Sequence, residues 1–180
     1  NECVILCFVV SIPAAFGIFM ISYPLLDLLF VRGEFTSSDA QMTNMSLKAL
    51  CIGLPAFILI KVLSVIFFSR EDTKTPVKVG FFSMLINLTL NLILIKDYQH
   101  VGLALATSIS AWFNVLILYL ILRKKKIMKL KKKTVEILFK SLISATIMYL
   151  LLKNLIYKYL ITDDFLAKFS FLSMIILLGA

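Results

Sequence analysis

A chain of 180 residues that is 61% hydrophobic, 16% charged and of formal net charge +9 is far more apolar than an ordinary soluble domain, which uses roughly 45 to 50% apolar residues. Its mean hydropathy of +0.98 is gathered into runs close to the roughly 20 residues that ~30 Å of hydrocarbon demands at about 1.5 Å per residue. A water-soluble core is excluded, and the composition implies an all-α integral membrane protein.

In chain order, the runs predict about six transmembrane helices. The first spans about Val4 to Phe30 and contains Pro13 and Pro24; the second spans Met42 to Phe68 and contains Pro55. Val77 to Ile95, Val101 to Leu122 and Val135 to Leu152 follow, and a sixth run begins near Phe165 and is truncated at Ala180. Prolines are tolerated in membrane helices because neighbours satisfy the freed carbonyls. Pro13 with Gly17, and Gly53 with Pro55, suit either bending between two states or close packing. Asn1 is not a start methionine, no signal peptide precedes the first run, and the last run stops in mid-course, so a piece of a longer membrane protein is expected.

The connections carry turn chemistry. In "RGEFTSSD", Arg32 to Asp39, Gly33 offers a positive φ and Thr36 with Asp39 fits a capping box that opens the second helix. "SREDTKTPVK", Ser69 to Lys78, holds Arg70, Glu71, Asp72, Thr73, Lys74 and Pro76. Pro76 suits the first turn of the next helix, and the two acids sit among cations that can neutralise them. "KDYQH", Lys96 to His100, predicts a tight return, and "RKKKIMKLKKK", Arg123 to Lys133, is the one long basic tract. The chain thus divides into a four-helix part, 1–122, a basic loop, 123–133, and two last helices, 134–180.

Lysine and arginine bias sets orientation. The second and fourth loops hold eleven such residues against five in the first, third and fifth. The second and fourth are therefore expected on the cytoplasmic side, together with both ends of the piece. A basic tract between two spans reads as a topology determinant lying on anionic lipid and not as a nucleic-acid site.

Catalysis is not expected. His100 is the one histidine, and no metalloprotease, nucleophile-elbow or phosphate-loop motif is present. Cys3, Cys7 and Cys51 lie in apolar runs and read as inert buried thiols without a metal set.

Three groups of polar residues inside the spans stand out. Lys61 precedes Phe68 by seven residues, about 10 Å inside the cytoplasmic end of its helix, where a charge costs about 2.5 kcal/mol or more unless it meets water or a partner. Side chains lean toward the helix N-terminus, so Lys61 leans away from the nearer surface and either faces a cavity or serves helix packing. Lys48 and Lys140 lean toward an interface and can snorkel. Ser83, Asn87 and Asn91 form one stripe, and Thr107, Ser110 and Asn114 another, on adjacent helices. The two stripes can meet as hydrogen-bonded packing contacts.

"RGEFTSSDAQMTNMSLKALCIGLPAFILIKVLSVIFFSREDTKTPVKV", Arg32 to Val79, and "GLALATSISAWFNVLILYLIL" from Gly102 resemble the bacterial lipid II flippases of the MurJ (MviN) family, of the MOP exporter superfamily. The R-G-x-F-T turn, the G-L-P-A then K-V-L helix, the F-x-S-R-x-D-T-K-T-P loop and the G-L-A-L-A-T-S helix come in the family's order. The likeness is tight from about Ser11 to Leu122 and looser beyond.

The resemblance implies the second lobe of a two-lobe transporter plus the two C-terminal helices, in the bacterial cytoplasmic membrane. It implies translocation of undecaprenyl-pyrophosphate-linked peptidoglycan precursor by alternating access, with the N-terminal lobe as a partner; the cavity that the depth and lean of Lys61 point to is then the substrate cavity. In some members a sodium ion is held between these helices, and the matching positions are Asn87, Asn91, the carbonyl of Leu103, and Thr107. Asn91 stands where that pattern has a carboxylate, which weakens the implied site. Another exporter of the superfamily, carrying an oligosaccharide-lipid or a drug, and a non-transporting scaffold are the alternatives.

Overall fold

A computed structural model of the chain describes residues 2–31, 34, 36–127, 134, 136–137, 139–147 and 150. Among these, the long elements are all helical: α1 is Glu2–Phe30, α2 is Ser37–Phe68 and α3 is Lys74–Lys124. All three are long and apolar enough to cross a membrane. Residues 139–147 are helical within the fifth predicted run; the sixth run, Gly33 and Lys131 to Lys133 lie outside the described residues.

Local chemistry fixes the helix ends. Thr36 and Asp39 make the expected capping box: the Asp39 backbone N–H donates to Thr36 Oγ1 at 3.4 Å, and the Thr36 N–H donates to Asp39 Oδ2 at 2.9 Å. The helix therefore starts at Ser37, one turn before the apolar run. At its other end Glu71 adopts φ 59°, with the Asp72 N–H donating to the Phe67 carbonyl and the Glu71 N–H to that of Phe68. This is a Schellman cap with glutamate where glycine is usual. Lys126, φ 57°, ends α3 in the same way, the Ile127 N–H donating to the Leu122 carbonyl.

The expected return at Lys96 to His100 is tighter than a loop. α3 stays helical through Tyr98 and breaks at Gln99 alone, φ 48° and ψ −127°, leaving a first arm, 74–98, and a second arm, 100–124. The arms approach so closely that a Cβ on Gly102 would lie 2.5 Å from the carbonyl oxygen of Leu94. At the far end, Arg123 and Lys124 belong to the last helical turn and not to the basic loop.

α2 is the central element, packed against both α1 and α3. Val4, Leu59, Leu63, Phe67, Val79, Leu118 and Leu122 form the core at the end of the bundle that carries the basic tract. Toward the middle, buried Ala49, Gly53 and Ala56 of α2 lie among buried Ala104, Ser108 and Ala111 of α3. Small residues are what membrane helices use to approach, since lipid is as apolar as leucine and offers no hydrophobic driving force between helices. The larger side chains Phe81, Leu88 and Leu92 are exposed on the first arm.

Polar contacts join the helices near the prolines. Pro55 lacks the N–H that would reach the carbonyl of Cys51. In the turn before it, Ser108 Oγ donates to the Ala49 carbonyl at 2.7 Å and Trp112 Nε1 to that of Ile52 at 3.0 Å. Between α1 and α2, buried Ser22 donates to Asn44 Oδ1 at 2.5 Å. Lys48 does not snorkel freely; it is half-buried, its Nζ 5.2 Å from the ring centre of Phe19. Lys140 pairs with Glu136 at 2.8 Å. Cys51 is buried as expected, whereas Cys3 is exposed and Cys7 half-buried, because the outer face of α1 has no protein neighbour among the described residues.

Candidate functional site

The two polar stripes of α3 meet. Asn87 Nδ2 donates to Thr107 Oγ1 at 3.3 Å and to Ser110 Oγ at 3.1 Å, bridging the arms. Asn91 Nδ2 donates to Asn87 Oδ1 at 2.9 Å. The Thr107 hydroxyl donates back to the carbonyl of Leu103 at 2.8 Å, and that of Ser110 to the carbonyl of Thr107 at 2.9 Å. Helical spacing of four puts Asn87 and Asn91 on one face, and the reversal at Gln99 turns that face onto the second arm.

This network leaves oxygens over. Asn91 Oδ1, Ser83 Oγ and Asn114 Oδ1 are buried without a hydrogen-bond partner, against the rule that buried polar groups are paired. Ser83 and Asn114 with Asn87, Thr107 and Ser110 line an open groove of about 380 Å³, closed on the α2 side by Phe57 and Ile60. An oxygen-only set with lone pairs to spare suits a hard cation in kind, and hydrogen bonds link Asn91 to Asn87, Asn87 to Thr107 and Thr107 to the Leu103 carbonyl in turn. All four contribute neutral oxygens, so the attraction of a carboxylate is missing. No group of three or more histidines, cysteines or acids that could hold a metal ion occurs among the described residues.

Lys61 is exposed. It follows Phe57 by one helical turn and adjoins Ile60, so it stands at the rim of this groove without lining it.

The turn between α2 and α3 is built around Asp72. Its carboxylate accepts from the Thr75 N–H at 3.1 Å and from the Thr75 hydroxyl at 2.9 Å, capping the helix that carries Pro76 in its first turn. It also accepts from Lys125 Nζ at 2.7 Å. The Lys125 ammonium and the Thr75 hydroxyl hold the carboxyl down at about 2. Thr73 makes no capping bond with its side chain, and Arg70, Thr73 and Lys74 are exposed. The i, i+3 spacing of Asp72 and Thr75 is a legible capping signal, while Lys125 as the partner depends on a contact across 53 residues.

Helices long and apolar enough to cross a bilayer, small residues at their contacts and polar atoms gathered along one groove define a polytopic membrane protein. The family profile described as "Lipid II flippase MurJ" matches residues 1–176, and the chain belongs to that family. Among curated relatives, a probable lipid II flippase MurJ of Rickettsia prowazekii is 36% identical over 99% of this chain and 36% of its own length. One of Vibrio cholerae is 46% identical over 69% of this chain and 24% of its own. A solved lipid II flippase MurJ in an inward closed conformation superposes with a TM-score of 0.74 at 28% identity, covering 99% of this chain and 37% of that one. The chain thus spans about a third or less of the relatives it matches.

Proposed function

We propose that this chain is the C-terminal membrane part of a flippase that moves undecaprenyl-pyrophosphate-linked peptidoglycan precursor, lipid II, across the bacterial cytoplasmic membrane. The family match over residues 1–176 carries this reading. Transport proceeds by alternating access between this lobe and an N-terminal lobe outside the chain, with no bond made or broken. On the full plan the piece supplies about six membrane helices, and both of its ends face the cytoplasm. The basic tract, 123–133, lies on anionic lipid.

Lys61, at the rim of the polar groove, adds positive potential where the anionic pyrophosphate is received. Its neighbour Ile60 lines that groove, and water filling it would spare the ammonium the desolvation cost it meets against acyl chains. Asn87, Asn91, Leu103 and Thr107 hold a sodium ion, more weakly than where a carboxylate replaces Asn91. The unpartnered Asn91 Oδ1 supports this assignment.

The full-length parent is to be expressed in a bacterium depleted of its own lipid II flippase, and labelled precursor followed across vesicles containing it. Growth and transport are expected, with Lys61→Gln lowering the rate at normal expression. An inserted, well-expressed parent that neither restores growth nor moves precursor rejects the function; full activity of the Lys61 variant rejects the cavity role.

A further inference from the structure

A second groove, of about 480 Å³, lies on the other face of the second arm, within the size range that encloses small ligands. Phe8 of α1, Leu63 of α2, and Trp112, Phe113, Leu116 and Tyr119 of the second arm form much of its wall. It is open along its length, and its lining from Ile109 to Tyr119 extends about 15 Å at 1.5 Å per residue, half of a ~30 Å hydrocarbon core. That is the depth of one leaflet. The polar atom of Trp112 is already committed to the Ile52 carbonyl, and of these six residues only Tyr119 carries another polar side-chain atom.

The same helical stripe runs on into charge. Arg123 follows Leu116 by seven residues and Lys124 follows Phe113 by eleven, which returns both to the groove's side of the second arm. Both are exposed, and neither is in an ion pair among the described residues, whereas Lys125 beside them is held by Asp72. The acids at this end do not pair with them among the described residues: Asp72 is neutralised by Lys125, Glu71 beside it makes its turn through its backbone, and Glu2 lies two residues from Val4, on the opposite side of α1. A hydrocarbon-lined slot one leaflet deep thus opens onto two unpaired cations at the interface.

We infer that this groove seats one acyl chain of an anionic diacyl phospholipid, with Arg123 and Lys124 holding its phosphate. Basic mouths between membrane helices are suited to anionic head groups. The charge also argues against protein as the occupant. A second copy docked about a two-fold axis brings Arg123 and Lys124 onto themselves, and the chain that continues after α3 carries Lys131 to Lys133. The site differs from general attraction of the basic tract to a charged surface, because it requires the chain and the head group to be held together.

Trp112, the single tryptophan of this sequence, lines the groove and reports on it. The full-length parent, with its remaining tryptophans replaced by phenylalanine, is reconstituted in mixed vesicles of phosphatidylcholine and phosphatidylglycerol, with bromine on the acyl chains of one lipid or the other. Brominated phosphatidylglycerol is expected to quench Trp112 in preference to brominated phosphatidylcholine, by about fivefold per cation, equivalent to about 1 kcal/mol each. Arg123→Gln with Lys124→Gln should bring the preference close to one while quenching by phosphatidylcholine persists. Lys124→Gln alone, which leaves most of the tract intact, should lower it part of the way. Equal quenching by both lipids, a preference indifferent to these substitutions, or a Trp112 shielded from both lipids overturns the inference. No precursor is present in the vesicles, so the result is independent of the transport reading.

Discussion

Lys125 Nζ lies 2.7 Å from Asp72 Oδ2 and 5.7 Å from the centre of the Phe67 ring, so one ammonium ties the turn after α2 to the end of α3. Because Asp72 also caps the first arm through Thr75, three helix ends meet at one carboxylate. Its folded-state value of about 2 is below the ordinary 3.8. A depressed carboxyl stabilises the fold above its unfolded value, and that contribution is lost as pH falls through the folded one. Thermal melts of the parent should therefore lose stability between about pH 4 and pH 2 through this group. Asp72→Asn should lower the melting temperature at neutral pH and flatten this part of the profile; an unchanged profile refutes the assignment.

Gln99 carries the whole reversal between the arms at φ 48° and ψ −127°, a region that only glycine occupies without strain. Such a conformation costs of the order of 1 to 3 kcal/mol for another residue. Gln99→Gly should raise stability by about 1 kcal/mol, and Gln99→Val, with a branched Cβ, should lower it. Denaturant titration in detergent measures both, and opposite signs for the two are required.

Much of this architecture was legible in the residues, in parts that follow physical reach. The apolar runs, the Thr36 and Asp39 box and the first-turn Pro76 are local signals, and the helices begin where these place them. The meeting of Asn87 with Thr107 was legible too, since two polar stripes flank one short return. Gln99 was not, because nothing local marks a glutamine for a positive φ, and the return was expected to be a loop. Lys125 as the partner of Asp72, Lys48 over Phe19 and the donors at Ala49 and Ile52 depend on how helices pack. Asn114 was expected within the meeting stripes, yet its Oδ1 is unpartnered.

The contact of Gly53 with Ser108 gives a sharp packing test. A Cβ at residue 53 would lie 2.7 Å from Ser108 Oγ and 3.0 Å from the Phe57 ring. That oxygen cannot swing away without losing its 2.7 Å bond to the Ala49 carbonyl. Gly53→Ala should cost about 1 to 3 kcal/mol by overpacking, and Ser108→Ala about 1 kcal/mol or less from the lost bond. The double variant should be more stable than the sum of the two, because deleting the hydroxyl makes the room that the methyl needs. Strict additivity would falsify this. Gly102→Ala should be worse than Gly53→Ala, since its obstacle is the Leu94 backbone oxygen at 2.5 Å.

The seam between the arms holds oxygens of the right kind for sodium but no charge of its own, and this sets the final expectation. Asn91 Nδ2 binds Asn87 Oδ1 while Asn91 Oδ1 is buried and unpartnered. Asn91→Asp replaces the donor with a second oxygen and adds a negative charge, so without a cation two oxygens face each other and the fold should lose about 1 to 3 kcal/mol, the cost of buried groups left unpaired. Sodium binding to the folded state returns stability as RT ln(1 + [Na⁺]/Kd). The melting temperature of the Asn91→Asp parent should rise with sodium chloride and not with choline chloride, while the unaltered parent responds more weakly. Asn87→Leu, which removes the Thr107 and Ser110 bridge, should abolish the sodium response in the Asn91→Asp background. If that variant melts alike in both salts, the four oxygens are packing contacts between the arms and no more.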